Sequence, residues 1–200
     1  YNGSSSVAED TLYLYEDAIS ASRNTNTIYP DSSDTTSAGS DQIKVTFNID
    51  GTLYQRTDQR GTVVTFGYDS FRRAQSQKVT TLGGSTDSTV RSITGAYDSL
   101  GRVYKITSHG NQTDDPDNTT DIKNQIVYTF DDLGRTAKSE QSHSGAVGVS
   151  TPSVQYTYDT SAVSSVFDDG TRMESMTYPD GRVLFSDYGT ANSLEDRVGI

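Results

Sequence analysis

The sequence predicts an all-β fold of tandem antiparallel β-hairpins that form a curved or spiralling sheet. Three observations predict it. A short turn motif recurs along the chain. β-branched and aromatic segments lead into the turns. The composition holds little aliphatic bulk: 32% of the 200 residues are hydrophobic, with 13 Tyr, 6 Phe and no Trp. Typical globular domains are nearer ~45–50% apolar with glycine included. Ser and Thr make up about a quarter of the chain. Such a composition suits strands that are wet on one face and packed on the other.

The motif runs aromatic, Asp, two residues, Gly, Arg. Its clearest copies are Tyr97-Asp98-Ser99-Leu100-Gly101-Arg102 and Phe130-Asp131-Asp132-Leu133-Gly134-Arg135. A weaker copy, Tyr68-Asp69-Ser70-Phe71-Arg72-Arg73, has Arg72 in the glycine place, so its loop is either strained or of another type. Tyr156-Thr157-Tyr158-Asp159 keeps the first half. Phe47-Asn48-Ile49-Asp50-Gly51 and Tyr178-Pro179-Asp180-Gly181-Arg182 are shortened versions and suit a shorter loop. An Asp side chain accepts a hydrogen bond from the backbone two residues on, which starts a turn. Glycine adopts the left-handed conformation that closes a type I turn with a bulge.

The flanks read as strands: residues 45–47, 63–66, 126–130 and 154–158 are β-branched and aromatic. The rings of Tyr128 and Phe130, and of Tyr156 and Tyr158, fall two residues apart and so share one face. Polar return strands follow over 102–108, 135–141 and 182–187. Residues 7–21 fit a strand as well as a helix. The segments 31–41, 83–88, 110–121 and 142–152 are rich in Ser, Thr, Asp, Asn or Gly and read as loops. The turn aspartates Asp50, Asp69, Asp98, Asp131, Asp159 and Asp180 are unevenly spaced, unlike a rigid solenoid. Variable loops between hairpins account for the drift. The organisation expected is an N-terminal strand and loop region over 1–41, a hairpin array over 42–189, and a connecting segment or further repeat over 190–200.

Charge and residue types exclude several functions. A formal net charge of -11 repels phosphate backbones and anionic membranes, so neither nucleic acid nor membrane insertion is expected. The absence of cysteine excludes disulfides, thiolate metal sites and a Cys nucleophile. His109 and His143 read as surface-loop residues, with no nucleophile-elbow pattern near them. The cluster Asp114, Asp115, Asp117, Asn118 and Asp121 offers oxygen ligands, but lacks the alternating order of a calcium loop and reads as a solvated acidic loop. Arg73, Arg102, Arg135 and Arg182 follow the turns and are expected to pair with acidic neighbours or cover aromatic faces. No metal, cofactor or catalytic residue is assigned, and an enzyme is not expected.

The recurring Tyr-Asp-x-x-Gly-Arg element resembles the repeat of the RHS/YD-repeat family. That family includes bacterial RHS proteins, the C components of Tc toxins, wall-associated proteins and teneurins. Tyr97 to Arg102 matches fully, Phe130 to Arg135 with Phe for Tyr, and Tyr178 to Arg182 in a shorter form. The resemblance implies that the chain supplies part of a β-shell. In bacterial members such a shell encloses a C-terminal toxic or effector domain. It further implies a secreted or cell-surface setting, partnership with the rest of a longer chain, and an association with glycans. Asp115-Pro116 lacks the context of the family's self-cleaving segment, so autoproteolysis is not transferred to it.

Overall fold

The computed structural model describes residues 10–159 and 172–186. The regular elements within them are strands: β1 (Leu12–Leu14), β2 (Asn26–Ile28), β3 (Ile43–Phe47), β4 (Leu53–Thr57), β5 (Val63–Tyr68), β6 (Ala74–Thr81), β7 (Ser92–Tyr97), β8 (Val103–His109), β9 (Ile122–Phe130), β10 (Thr136–Ser142), β11 (Ser153–Tyr158), β12 (Met173–Thr177) and β13 (Val183–Phe185). Of the ambiguous stretch 7–21, residues 7–9 lie outside the described residues, and the regular part of the remainder is the strand β1. The described residues form two compact units, one within 1–96 and 107–123 and the other within 97–106 and 124–200. Within each unit the strands lie side by side in chain order.

In the first unit antiparallel pairing runs from β1 to β7. In the second it runs from β9 to β13. The alternation read from the sequence holds in β11, where Tyr156 and Tyr158 are half-buried and Thr157 is exposed. Thr129 in β9 is likewise exposed between the half-buried rings of Tyr128 and Phe130.

What lies on the packed face differs from a usual sheet protein. Among the described residues the buried hydrophobic side chains are Ile28 and Ala96 alone. The other buried positions are polar: Asn26, Gln42, Thr62, Ser76, Ser92, Thr94, Thr107, His109, Thr113, Gln125 and Ser175. In β7 the period of two is kept with inverted polarity. Ser92, Thr94 and Ala96 are buried while Ile93 is 43% exposed. The segment after β8 explains this. It folds back so that Ser92 Oγ donates to the Asn111 carbonyl (2.9 Å) and the Thr113 amide donates to Ser92 Oγ (3.3 Å). A loop lying this close admits short side chains, and its own backbone polar groups need partners once water is excluded.

His109 corrects the expectation of a surface-loop residue. It ends β8 and is fully buried. Its Nε2 lies 3.1 Å from Thr94 Oγ1 and its Nδ1 3.4 Å from the Thr120 carbonyl. Flanking Ser and Gly suggest a loop because the sequence does not show residues 110–121 returning over the strand. His143 is exposed.

The acidic segment is exposed as a solvated loop would be, at Asp114, Asp115, Asp117 and Asp121, but its carboxylates have partners. Asp114 accepts a hydrogen bond from Ser76 Oγ (2.7 Å) and pairs with Lys78, both on β6. Asp121 pairs with Lys123 at 2.6 Å, and Asp115 Oδ1 accepts the Asp117 amide at 2.9 Å. Local cations and amides thus take up the carboxylates that the sequence offers as oxygen ligands.

Candidate functional site: the turn module and its arginine

The turns at 69–73, 98–102 and 131–135 share one geometry. At residues 98–102 the Gly101 amide donates to the Asp98 carbonyl (3.0 Å), and the Asp98 amide to the Arg102 carbonyl (2.9 Å). Asp98 Oδ1 accepts the amides of Leu100 and Arg102, each at 2.9 Å. Gly101 sits at φ 85°. This is a type I turn closed by a left-handed residue, a three-residue loop that gives a bulged hairpin. The turn at 131–135 repeats it, with Leu133 and Arg135 donating to Asp131 Oδ1 at 3.0 and 2.8 Å and Gly134 at φ 85°.

Arg72 settles the open question about the weaker copy. Its turn has the same hydrogen bonds, from Arg72 to the Asp69 carbonyl and from Asp69 to the Arg73 carbonyl, both 3.0 Å. Arg72 therefore takes the glycine's place at φ 64°, a conformation disfavoured for a residue with a Cβ. Its Nε lies 3.4 Å from Asp50 Oδ2 in the turn between β3 and β4.

The two shortened copies are not shorter in the structure. Around Gly51 the bonds run from Gly51 to Asn48 and from Asn48 to Thr52, so Asn48 starts the turn. Around Gly181 they run from Gly181 to Tyr178 and from Tyr178 to Arg182. Asp50 and Asp180 sit second of the three loop residues and accept the amides of Thr52 and Arg182, each at 3.0 Å. The Asp-Gly dipeptide suggests a two-residue loop, but the pairing register of the flanking strands demands three. The Asp159 amide donates to the Arg172 carbonyl at 2.9 Å; the turn between them lies outside the described residues.

Two turns escape the aromatic motif. Residues 58–62 form the same loop, with Gly61 at φ 82° and Asp58 Oδ1 accepting the Arg60 and Thr62 amides. Its Asp-x-x-Gly spacing is visible in the sequence but lacks a preceding ring. Between β1 and β2, Asp17 Oδ1 accepts the Ile19 and Ser20 amides and pairs with Arg23 at 3.3 Å. No glycine marks that turn.

The arginines both pair and stack. Arg73, Arg102 and Arg135 each donate Nε to Oδ2 of their own turn aspartate, at 2.7, 2.7 and 2.6 Å. The Arg102 guanidinium then lies 4.1 Å from the centre of the Phe130 ring, and that of Arg135 4.2 Å from Tyr158. Arg23 lies 5.4 Å from Phe47. In these three cases the ring belongs to the following hairpin. Arg73 and Arg182 approach rings of their own turns, Phe71 at 5.3 Å and Tyr178 at 4.6 Å. The tyrosine hydroxyl adds a second link: Tyr158 Oη donates to the Thr136 carbonyl and Tyr68 Oη to the Leu53 carbonyl, both 2.9 Å.

Burial raises the carboxyl pKa values of Asp69, Asp98 and Asp131, but bonds to the arginine side chain and backbone outweigh it. The net result is a pKa below the ordinary carboxylate range. Asp50 is lowered chiefly by the Thr52 hydroxyl and amide. These are carboxylates held ionised and fully engaged, unlike the raised pair a general acid requires. Among the described residues no helix is long and apolar enough to cross a membrane, and no group of three His, Asp or Glu residues is placed to hold a metal ion.

No family model matches the sequence, and no curated protein does. Solved structures do match the fold. TcdB2-TccC3 without its hypervariable C-terminal region aligns with 92% of this chain at TM-score 0.52 and 14% identity. The chain shares its fold with RHS-repeat Tc toxin chains. TcdB2-TccC3-Cdc42 aligns with 90% of the chain at TM-score 0.49 and 13% identity. The chain spans about a tenth of these Tc toxin chains, 9% and 10% respectively.

Proposed function

We propose that this chain is a non-catalytic wall segment of an RHS/YD-repeat shell, part of a longer secreted or surface protein of bacterial origin that encloses a C-terminal effector. One observation carries the reading. The hairpin array follows the fold of TcdB2-TccC3 over 92% of the chain, while spanning 9% of that protein. The described turn carboxylates and arginines are consumed in holding hairpins, which suits a wall and leaves little for chemistry. Enclosure works through continuous strand pairing, which leaves no gap for the cargo to meet its target.

The test is limited proteolysis of the full-length product of the gene. A C-terminal domain that resists protease in the intact protein, and becomes sensitive once these hairpins are loosened by Gly134→Val, supports enclosure. A C-terminal domain cut equally in both overturns it.

A second reading, glycan binding, has one feature in its favour. A recess of about 560 Å³ in the first unit is lined by Tyr29, Pro30, Asp31, Arg56, Asp58 and Gln59. An aromatic ring beside planar polar groups is the chemistry that receives a sugar ring and its hydroxyls. Glycan-array binding that is lost in Tyr29→Ala supports this reading, and an unchanged or empty array removes it.

A further inference from the structure

The arginines that end the turns at 98–102 and 131–135 do more than the turn requires. The Asp carboxylate already takes two backbone amides, and the loop closes on backbone bonds alone, as residues 58–62 show with Thr62 in that place. Yet the arginine reaches the next hairpin, and the next hairpin has room for it. A Cβ on Gly134 would stand 2.9 Å from Arg102 Nη1, and one on Gly51 2.8 Å from Arg23 Nη2. The glycine is thus needed twice, once for its own positive φ and once to leave space for the arginine before it. The Nη1 atoms of Arg102 and Arg135 are buried without a hydrogen-bond partner, so ring and carboxylate fix the guanidinium rather than a web of acceptors.

We propose that the ring before a turn, together with the turn's glycine at Gly51 and Gly134, forms a socket for the arginine of the preceding hairpin, latching hairpins in the N-to-C direction where that arginine is present. Arg102 seats against Phe130 and Gly134, Arg23 against Phe47 and Gly51, and Arg135 against Tyr158. The aspartate is the positioning residue, because its Oδ2 holds Nε and so sets the plane of the guanidinium. Arginine suits this place and lysine does not: a planar fork stacks on a ring while one nitrogen is bound, whereas an ammonium on a flexible stem does one or the other.

Hydrogen exchange on the whole chain tests the direction. Arg102→Lys keeps the charge beside Asp98. It is expected to raise exchange of amides in β9 and β10 about fivefold, the equivalent of roughly 1 kcal/mol for a partly buried cation on a ring. Arg135→Lys is expected to do the same in β11 and β12 and to leave β9 and β10 unchanged. Effects confined to each arginine's own turn, or spread evenly over the chain, overturn the latch. A double-mutant cycle of Arg102→Lys with Phe130→Leu in urea gives a second reading. Coupling of about fivefold in the unfolding constant supports the socket, and additive effects overturn it.

Discussion

The two units hold their hairpins by different means. The first buries polar side chains: apart from Gln125 and Ser175, every buried residue described belongs to it, with His109, Gln42, Thr94, Thr107 and Ser92 the most enclosed. The second has few buried side chains and carries the two close arginine–ring stacks, 4.1 and 4.2 Å. The first unit also shows what happens when the latch is missing. At residue 52 the turn has Thr instead of Arg, so no arginine from that turn reaches Tyr68, although the Tyr68 hydroxyl still reaches the Leu53 carbonyl. There the link runs backward, from Arg72 to Asp50. A strand array thus needs some lateral tie beyond its backbone ladder, and the loop lengths decide which one. A long loop that folds back supplies a buried polar layer, while a tight turn supplies only its arginine.

The largest expected effect lies in the polar layer. His109→Ala removes two hydrogen bonds and leaves a void in a fully enclosed place. A loss of about 3 kcal/mol is expected in urea unfolding. Exchange should rise in the first unit, and a rise confined to the second would erase the contrast between them. Next comes Gly134→Ala, which forces a Cβ into a positive φ and against Arg102. It is expected to lose roughly 1–2 kcal/mol, more than Gly61→Ala, where nothing lies within 4 Å. Equal losses would show that backbone conformation alone matters.

Thr52→Arg should supply the missing latch over Tyr68. A gain of up to about 1 kcal/mol in thermal or urea unfolding is expected, and no gain would show that an arginine without an aspartate at the head of its turn does not seat. Arg72→Gly relieves a left-handed arginine, about 1 kcal/mol, but removes its pair with Asp50, in which the Arg72 side chain is 66% exposed. Exposed pairs contribute about 0–1 kcal/mol. The net change expected is therefore within about 0.5 kcal/mol.

The pH dependence is a finer probe. The folded pKa values of Asp69, Asp98 and Asp131 lie below the unfolded value. Their contribution is complete above the ordinary value of roughly 3.9 and is lost as pH falls through the lowered folded values. Asp131→Asn should flatten the acid limb of stability against pH; an unchanged limb would mean that Asp131 does not carry it.

The turns were the most legible part of the molecule, because a turn is local. Asp at one place and Gly three residues on satisfy the same backbone groups wherever they occur, and Asp98, Gly101, Asp131 and Gly134 could be placed without tertiary information. Requiring a ring before the aspartate hid Asp58, whose strand ends without one. Reading Asp-Gly as the whole loop misplaced the start at Asn48 and Tyr178, since strand register sets the closing pair and register is not local.

The residues alone were enough for the hairpin reversals at 98–102 and 131–135, and for the expectation that the arginines after the turns pair with acidic neighbours or cover rings, because these interactions are local. Which ring receives which arginine, why Gly134 must be small, and how residues 110–121 return over His109 are set by contacts far apart in the chain. Those depend on distances between segments separated by variable loops. Chain closure over such loops costs entropy that varies little with sequence, so nothing in the residues announces where the chain returns.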